Sequence, residues 1–89
     1  MIRKSITVYG YVQGVGFRYR AINAAGLVGA TGWVRNNPDG SVSMEIQGSE
    51  EQIDKVMELI AAGSYVEIER LDVKRIEVDS DERSFGVKD

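Results

Sequence analysis

Residues 31–47 read TGWVRNNPDGSVSMEIQ. Two β-prone runs, Thr31–Arg35 and Ser41–Gln47, flank Asn36-Asn37-Pro38-Asp39-Gly40. An Asp-Gly pair with proline two residues ahead of the glycine is tight-turn chemistry, so the stretch predicts a β-hairpin. In its second arm Val42, Met44 and Ile46 share one face with a period of two. Outward on the N-terminal side, Phe17, Ala21, Ala24, Ala25 and Val28 recur at helical spacing, and Gly29 supplies a stop. Ahead of them Ile2, Ile6, Val8 and Val12 alternate with Arg3, Ser5, Thr7 and Tyr9 as a half-buried strand, which Lys4 and Gly10 blur by falling on the apolar side. Outward on the other side, Ser49 opens a second helix with Gln52 three residues on to close a capping box. Ile53, Val56, Met57 and Ile60 give that helix one apolar stripe, and Gly63 ends it. Val66, Ile68, Leu71, Val73, Ile76 and Val78 form a long strand whose phase slips at Glu69-Arg70 and at Lys74-Arg75, as two bulges would make it. Asp79–Ser84 is a polar loop, and Phe85-Gly86-Val87 a short last strand.

The order β-α-β-β-α-β plus a short C-terminal strand predicts an α+β fold, a ferredoxin-like split βαβ sandwich with two helices on one face of an antiparallel sheet. In that arrangement the first strand and the Thr31–Arg35 strand run parallel. The segments that follow them, carrying Arg18 and Asn36, therefore lie beyond the same end of the sheet.

At 89 residues the chain has room for one core, and we read residues 1–89 as a single domain. Its 43% hydrophobic and 28% charged residues match globular averages and exclude a disordered or collagenous chain. No apolar run approaches the roughly 20 residues of a membrane helix. No h-region follows the charges of Met1-Ile2-Arg3-Lys4, so no signal peptide is expected, and the expected compartment is the cytoplasm. The chain has no cysteine and no histidine, which excludes disulfides, thiol nucleophiles, zinc sites and every histidine general base. Net charge is −3, divided unevenly: five cations face two anions from Met1 to Gly48, and six face twelve from Ser49 to Asp89. A nucleic-acid partner is not expected of so acidic a chain, whereas the basic first half suits a small anion. The Ser41–Gln47 strand also lacks the aromatics and cations of a single-stranded RNA platform. Glu67, Glu69, Asp72, Glu77, Asp79, Asp81 and Glu82 follow no metal-loop spacing and read as solvated surface, so no metal is expected. Arg20 and Arg35 likewise read as solvated charges, and Trp33 as a packing or sheet-face aromatic.

Between the first strand and first helix stands Gly10-Tyr11-Val12-Gln13-Gly14-Val15-Gly16-Phe17-Arg18. Glycines there suit positive φ or the close approach of a ligand to the main chain. A glycine-rich turn feeding a helix aims free N–H groups at one spot, and the helix dipole makes that spot positive. Arg18 in the first turn is unfavourable unless an anion lies between it and the dipole. The residues alone leave two readings open, a phosphate site and a surface turn whose Arg18 pairs with a neighbouring carboxylate. The Lys-Ser/Thr of a Walker A loop is absent. Asn36, by turn chemistry alone, is a turn former.

The stretch Val12-Gln13-Gly14-Val15-Gly16-Phe17-Arg18, followed by Gly32-Trp33-Val34-Arg35-Asn36 and then Pro38-Asp39-Gly40, closely resembles the two signatures of acylphosphatases. The likeness extends to the element order and to the ending Ser84-Phe85-Gly86-Val87. It implies a metal-independent, cofactor-free hydrolase that cleaves carboxyl-phosphate anhydrides to carboxylate and phosphate. The resemblance assigns the phosphate to the backbone N–H groups of Val12, Gln13, Gly14, Val15 and Gly16 and to the side chain of Arg18. It assigns the attacking water to Asn36, for substrate-assisted in-line displacement. Asn37 stands where the family often has Thr, which bears on a hydrogen bond behind the catalytic Asn. A monomer, with an acyl phosphate substrate and phosphate as its small-molecule partners and no membrane partner, is the expected state. The rival reading is a non-catalytic phosphate- or partner-binding module of the same fold.

Overall fold

In the computed structural model, which describes residues 1–88, β1 (Ile2–Tyr11) and α1 (Phe17–Val28) are followed by β2 (Thr31–Asn36), β3 (Val42–Gly48), α2 (Glu50–Ala61), β4 (Glu67–Ile76) and β5 (Phe85–Val87). The predicted hairpin is there: β2 and β3 pair antiparallel, with Trp33 opposite Glu45 and Asn36 opposite Val42. The sheet order is β4-β1-β3-β2-β5. Its first four strands are antiparallel to their neighbours, which makes β1 and β2 parallel to each other. β5 joins the far edge parallel to β2, with Val87 beside Val34, so the sheet is mixed at that edge. The bond from Gly32 N–H to Ser84 O (3.1 Å) and that from Lys88 N–H to Val34 O (2.9 Å) bracket this pairing.

Alternation decides which face is buried. Ile6 and Val8 of β1, Val34 of β2, and Val42, Met44 and Ile46 of β3 lie on one face, all at 2% exposure or less. The two helices cover it. α2 sets its predicted stripe of Ile53, Val56 and Ile60 into the core, with Met57 half-buried beside it. α1 contributes Phe17 and the small residues Ala21, Ala24 and Ala25. The Ser49 capping box forms in full: Ser49 Oγ accepts from Gln52 N–H at 3.0 Å, and Gln52 Oε1 accepts from Ser49 N–H at 2.7 Å. Such a cap is worth about 1 kcal/mol. The Gln52 amide also donates to Val28 O at 2.8 Å, which ties the start of α2 to the end of α1.

Four expectations need correction. The slip at Glu69-Arg70 is a bulge, since the β1–β4 register shifts between Tyr9 and Gly10. The slip at Lys74-Arg75 is not, because Lys74 and Arg75 stay in register opposite Ser5 and Lys4. β4 is an edge strand whose Leu71 and Val73 remain exposed, so burial does not enforce alternation there. Gly63 lies past the cap residue Ala62, and its role is space: a Cβ would stand 2.7 Å from Arg20 Nε. Arg20 is accordingly half-buried rather than solvated, and its guanidinium donates to Leu59 O at 2.8 Å. It supplies the cation that the last turn of α2 lacks.

Glu82 is the fourth. On the sheet face away from the helices Arg3 is only 4% exposed, and it forks onto both Glu82 oxygens at 2.8 and 3.1 Å. It donates further to Glu45 at 3.0 Å and to Gln47 at 3.2 Å. Glu82 thereby pins the loop that launches β5. The hydrogen bonds that Arg3 donates to Glu82 raise its guanidinium above the ordinary value, against the opposing effect of burial. Trp33, on this same face, lies under Arg35 and Lys88, with their cationic groups 5.5 and 4.4 Å from its ring centre. Among the described residues no helix is long and apolar enough to cross a membrane.

Candidate active site

β1 and β2 both end at the same edge of the sheet, beside Val42. The chain leaving β1 makes the glycine-rich loop and turns into α1, and the chain leaving β2 makes the Asn36–Gly40 turn. Between them is a cleft of about 330 Å³ lined by Gly14, Gly16, Phe17, Arg18, Tyr19, Ile22, Asn36 and Val87.

The three loop glycines separate by cause. Gly14 and Gly16 adopt φ of 72° and 81°, and a Cβ at either would meet open space. Their requirement is the left-handed backbone itself, which costs other residues about 1–2 kcal/mol. Gly10 belongs to the sheet instead: at the bulge a Cβ would stand 2.2 Å from Glu67 O. Gly16 is also the N-cap of α1, and no side chain caps that terminus. The first helical bond runs from Arg20 N–H to Gly16 O at 2.9 Å. The amides of Phe17, Arg18 and Tyr19 are thus the open donors of a helix N-terminus, where the dipole is positive.

Arg18 is exposed and makes no ion pair among the described residues. The reading of a surface turn with a carboxylate-bound arginine therefore has no support among them. Across the cleft Asn36 is half-buried, and its Oδ1 is buried with no hydrogen-bond donor among the described residues. The candidate residues Gly14, Gly16, Arg18 and Asn36 thus share one cleft. Val12 is in the core and Val15 packs against it. Gln13 sends its side chain to the Asn37–Ser41 turn. Each of these three has only main chain left to offer a ligand.

Asn37 holds the turn behind Asn36. Its Nδ2 donates to Ser41 Oγ at 3.0 Å and Ser43 Oγ at 2.7 Å, and its N–H donates to Ser41 O at 2.9 Å. A threonine has one hydroxyl proton and could not reach both serines this way. Asp39 Oδ1 accepts from the Ser41 hydroxyl and amide, which hold its carboxyl below the ordinary carboxylate value.

Sequence reasoning missed the apolar side of the cleft. Ile22 was within reach, standing four residues after Arg18 on the same helix face. Val87 carried no local signal, because only the parallel docking of β5 beside β2 brings it there. Tyr9 is not at the cleft; it lies under Arg70 on the opposite sheet face, 4.0 Å from ring centre to guanidinium. A second groove of about 240 Å³, walled by Tyr19, Arg20, Asn23, Ala24, Leu27 and Leu59, includes none of Gly14, Gly16, Arg18 and Asn36.

The comparisons with known proteins bear on the family and the fold. A family described as Acylphosphatase matches residues 4–87. An acylphosphatase of Bifidobacterium longum is 42% identical over 90 residues, covering 99% of this chain and 93% of the relative. The crystal structure of acylphosphatase from Bacillus subtilis superposes with a TM-score of 0.89 at 29% identity, covering 99% of each chain. The same fold occurs within a larger protein, full-length HypF, at a TM-score of 0.87 and 29% identity, covering 99% of this chain and 12% of that one. With the glycine loop, Arg18 and Asn36 at one cleft and a family match running through nearly the whole chain, this chain belongs to the acylphosphatase family.

Proposed function

We propose that this protein is a hydrolase that cleaves acyl phosphates to a carboxylate and inorganic phosphate. The observation that carries the reading is the convergence at one cleft of Arg18, the uncapped start of α1 and Asn36, whose Oδ1 has no hydrogen-bond donor among the described residues. An amide oxygen without a protein donor has its accepting capacity free for a hydrogen bond from a bound water.

The roles follow from charge and geometry. The phosphoryl oxygens sit against the main-chain amides of the Val12–Gly16 loop and the first turn of α1. Arg18 lays its planar fork of donors on them from the side. Asn36 accepts a hydrogen bond from a water and offers its amide group as donor, which orients a lone pair toward phosphorus. A bond forms from the water oxygen to phosphorus as the bond to the acyl oxygen breaks. The electron pair leaves with the carboxylate, and the water proton passes to a phosphoryl oxygen and then to solvent. Carboxylate is a good leaving group, so positioning and anion stabilisation suffice, in keeping with a chain that has no histidine or cysteine. No metal or other cofactor takes part. The domain acts as a monomer in the cytoplasm on a small molecule, without nucleic-acid or membrane partners.

The test is the ultraviolet loss of benzoyl phosphate in excess chelator, for the wild type beside Arg18→Gln. We expect metal-free hydrolysis that falls by about 10²–10³ or more in the variant, with phosphate affinity lost alongside. Wild-type protein that binds phosphate but hydrolyses nothing above the spontaneous rate is a binding module, and the hydrolase reading is then wrong.

A further inference from the structure

The side chain of Gln13 leaves the phosphate loop and crosses to the turn behind Asn36. Its Nε2 donates to Asn37 O at 2.7 Å and to Ser41 O at 2.9 Å. Both amide protons are thus engaged by carbonyls 24 and 28 residues further along the chain. Each carbonyl accepts a second bond from within the turn: Gly40 N–H reaches Asn37 O at 3.2 Å, and Asn37 N–H reaches Ser41 O at 2.9 Å. A carbonyl has two lone pairs, so Gln13 completes both acceptors and closes the turn at its base. The loop that holds phosphate and the residue beside Asn36 are joined at this one point.

We propose that Gln13 is a positioning residue, which sets the spacing between the phosphate-binding amides and Asn36 by clamping the Asn37–Ser41 base of the hairpin to the loop. The proposal rests on the assignment of the water to Asn36. Gln13 itself touches neither the phosphate nor the water with its side chain. The residue type fits the task. A primary amide brings two donors without charge, whereas a carboxylate at the same reach would set negative oxygen against two carbonyls, and a thioether would fill the space without bonding. In a reaction that depends on near-attack geometry, a misplacement of about 1 Å costs on the order of 10²-fold in rate.

A double-mutant cycle in the full chain tests this, with kcat for benzoyl phosphate, the inhibition constant of inorganic phosphate and the melting midpoint as readouts. Gln13→Met should lower kcat by about 10- to 100-fold while the phosphate inhibition constant moves less than about threefold. In the Asn36→Ala background the same substitution should change kcat by less than about threefold, because the group being positioned is gone. Where Gln13→Met does not fold, Gln13→Ser, which leaves room for a water at the two carbonyls, carries the same cycle. Effects of Gln13 and Asn36 that simply multiply overturn the proposal, as does a phosphate inhibition constant that rises in step with the loss of kcat. Wild-type protein without turnover overturns the hydrolase reading and this proposal together, whereas turnover with multiplicative effects overturns the proposal alone.

Discussion

Burying the Asn36 acceptor without a donor costs on the order of 1–3 kcal/mol, a cost the fold carries at the residue proposed to hold the water. Asn36→Ala should therefore separate stability from activity. We expect kcat to fall by about 10²-fold with phosphate inhibition nearly intact, while the free energy of unfolding is unchanged or rises by about 1 kcal/mol. A chemical-denaturation curve beside the kinetics checks both halves, and a variant that is both active and less stable would mark Asn36 as an ordinary turn residue. Arg18 and Asn36 were legible as candidates because both sit inside the two stretches that carry the family resemblance. Asn36 as an unbonded acceptor was not, since that property depends on what fails to approach it. Arg20 was illegible for a related reason: its partner, Leu59 O, lies 39 residues away on the other helix. A cation two residues after Arg18 carries no sign of that.

At the scale of elements, the Arg3 cluster holds β5 and so one wall of the cleft. Arg3 and Glu82 are both largely desolvated, with side-chain exposures of 5% and 14%, and the pair is bidentate. Removing one partner of such a pair leaves an uncompensated charge at about 3–5 kcal/mol, the lower end applying here because Glu45 still faces Arg3. Glu82→Ala should cost about 3 kcal/mol and lower the melting midpoint by more than about 10 °C. Its kinetic effect should fall on KM more than on kcat, because Val87 lines the cleft while Arg18 and Asn36 stand on other elements. A loss confined to kcat would show that β5 is not the element Glu82 supports. The strand that Glu82 anchors was visible in the sequence as Phe85-Gly86-Val87, but its direction was not. Three residues carry no information about which edge they join or in which sense. The bulge at Glu69 could be read from the phase because Gly10 backs it, whereas the second apparent slip reflected an edge strand wet on both faces.

For the whole molecule, the element order was readable from periodicity and turn chemistry, and the juxtaposition of two distant loops followed from strand direction alone. The consequence testable at this scale is the response to pH. The chain holds no histidine or cysteine, so no side chain ordinarily changes its charge between pH 6 and 8. We expect kcat for benzoyl phosphate to be flat over that range, with no general-acid or general-base limb. Stability should behave differently in acid. The Ser41 hydroxyl and amide hold the Asp39 carboxyl below its ordinary value of 3.8, so its folded-state pKa is depressed. A depressed carboxyl contributes stability that is fully present above the unfolded value and is lost as pH falls through the folded one. The Asp39–Ser41 contact should therefore support the turn throughout the neutral range and be lost only below about pH 4. Denaturation of the wild type and Asp39→Ala at several pH values checks the sign. The wild type should be the more stable near pH 7, and the difference should shrink as the pH falls below the ordinary carboxylate value. A difference that widens in acid would reverse the direction assigned to Asp39, and a kcat limb between pH 6 and 8 would require a side chain shifted far from its ordinary value or the α-amino group.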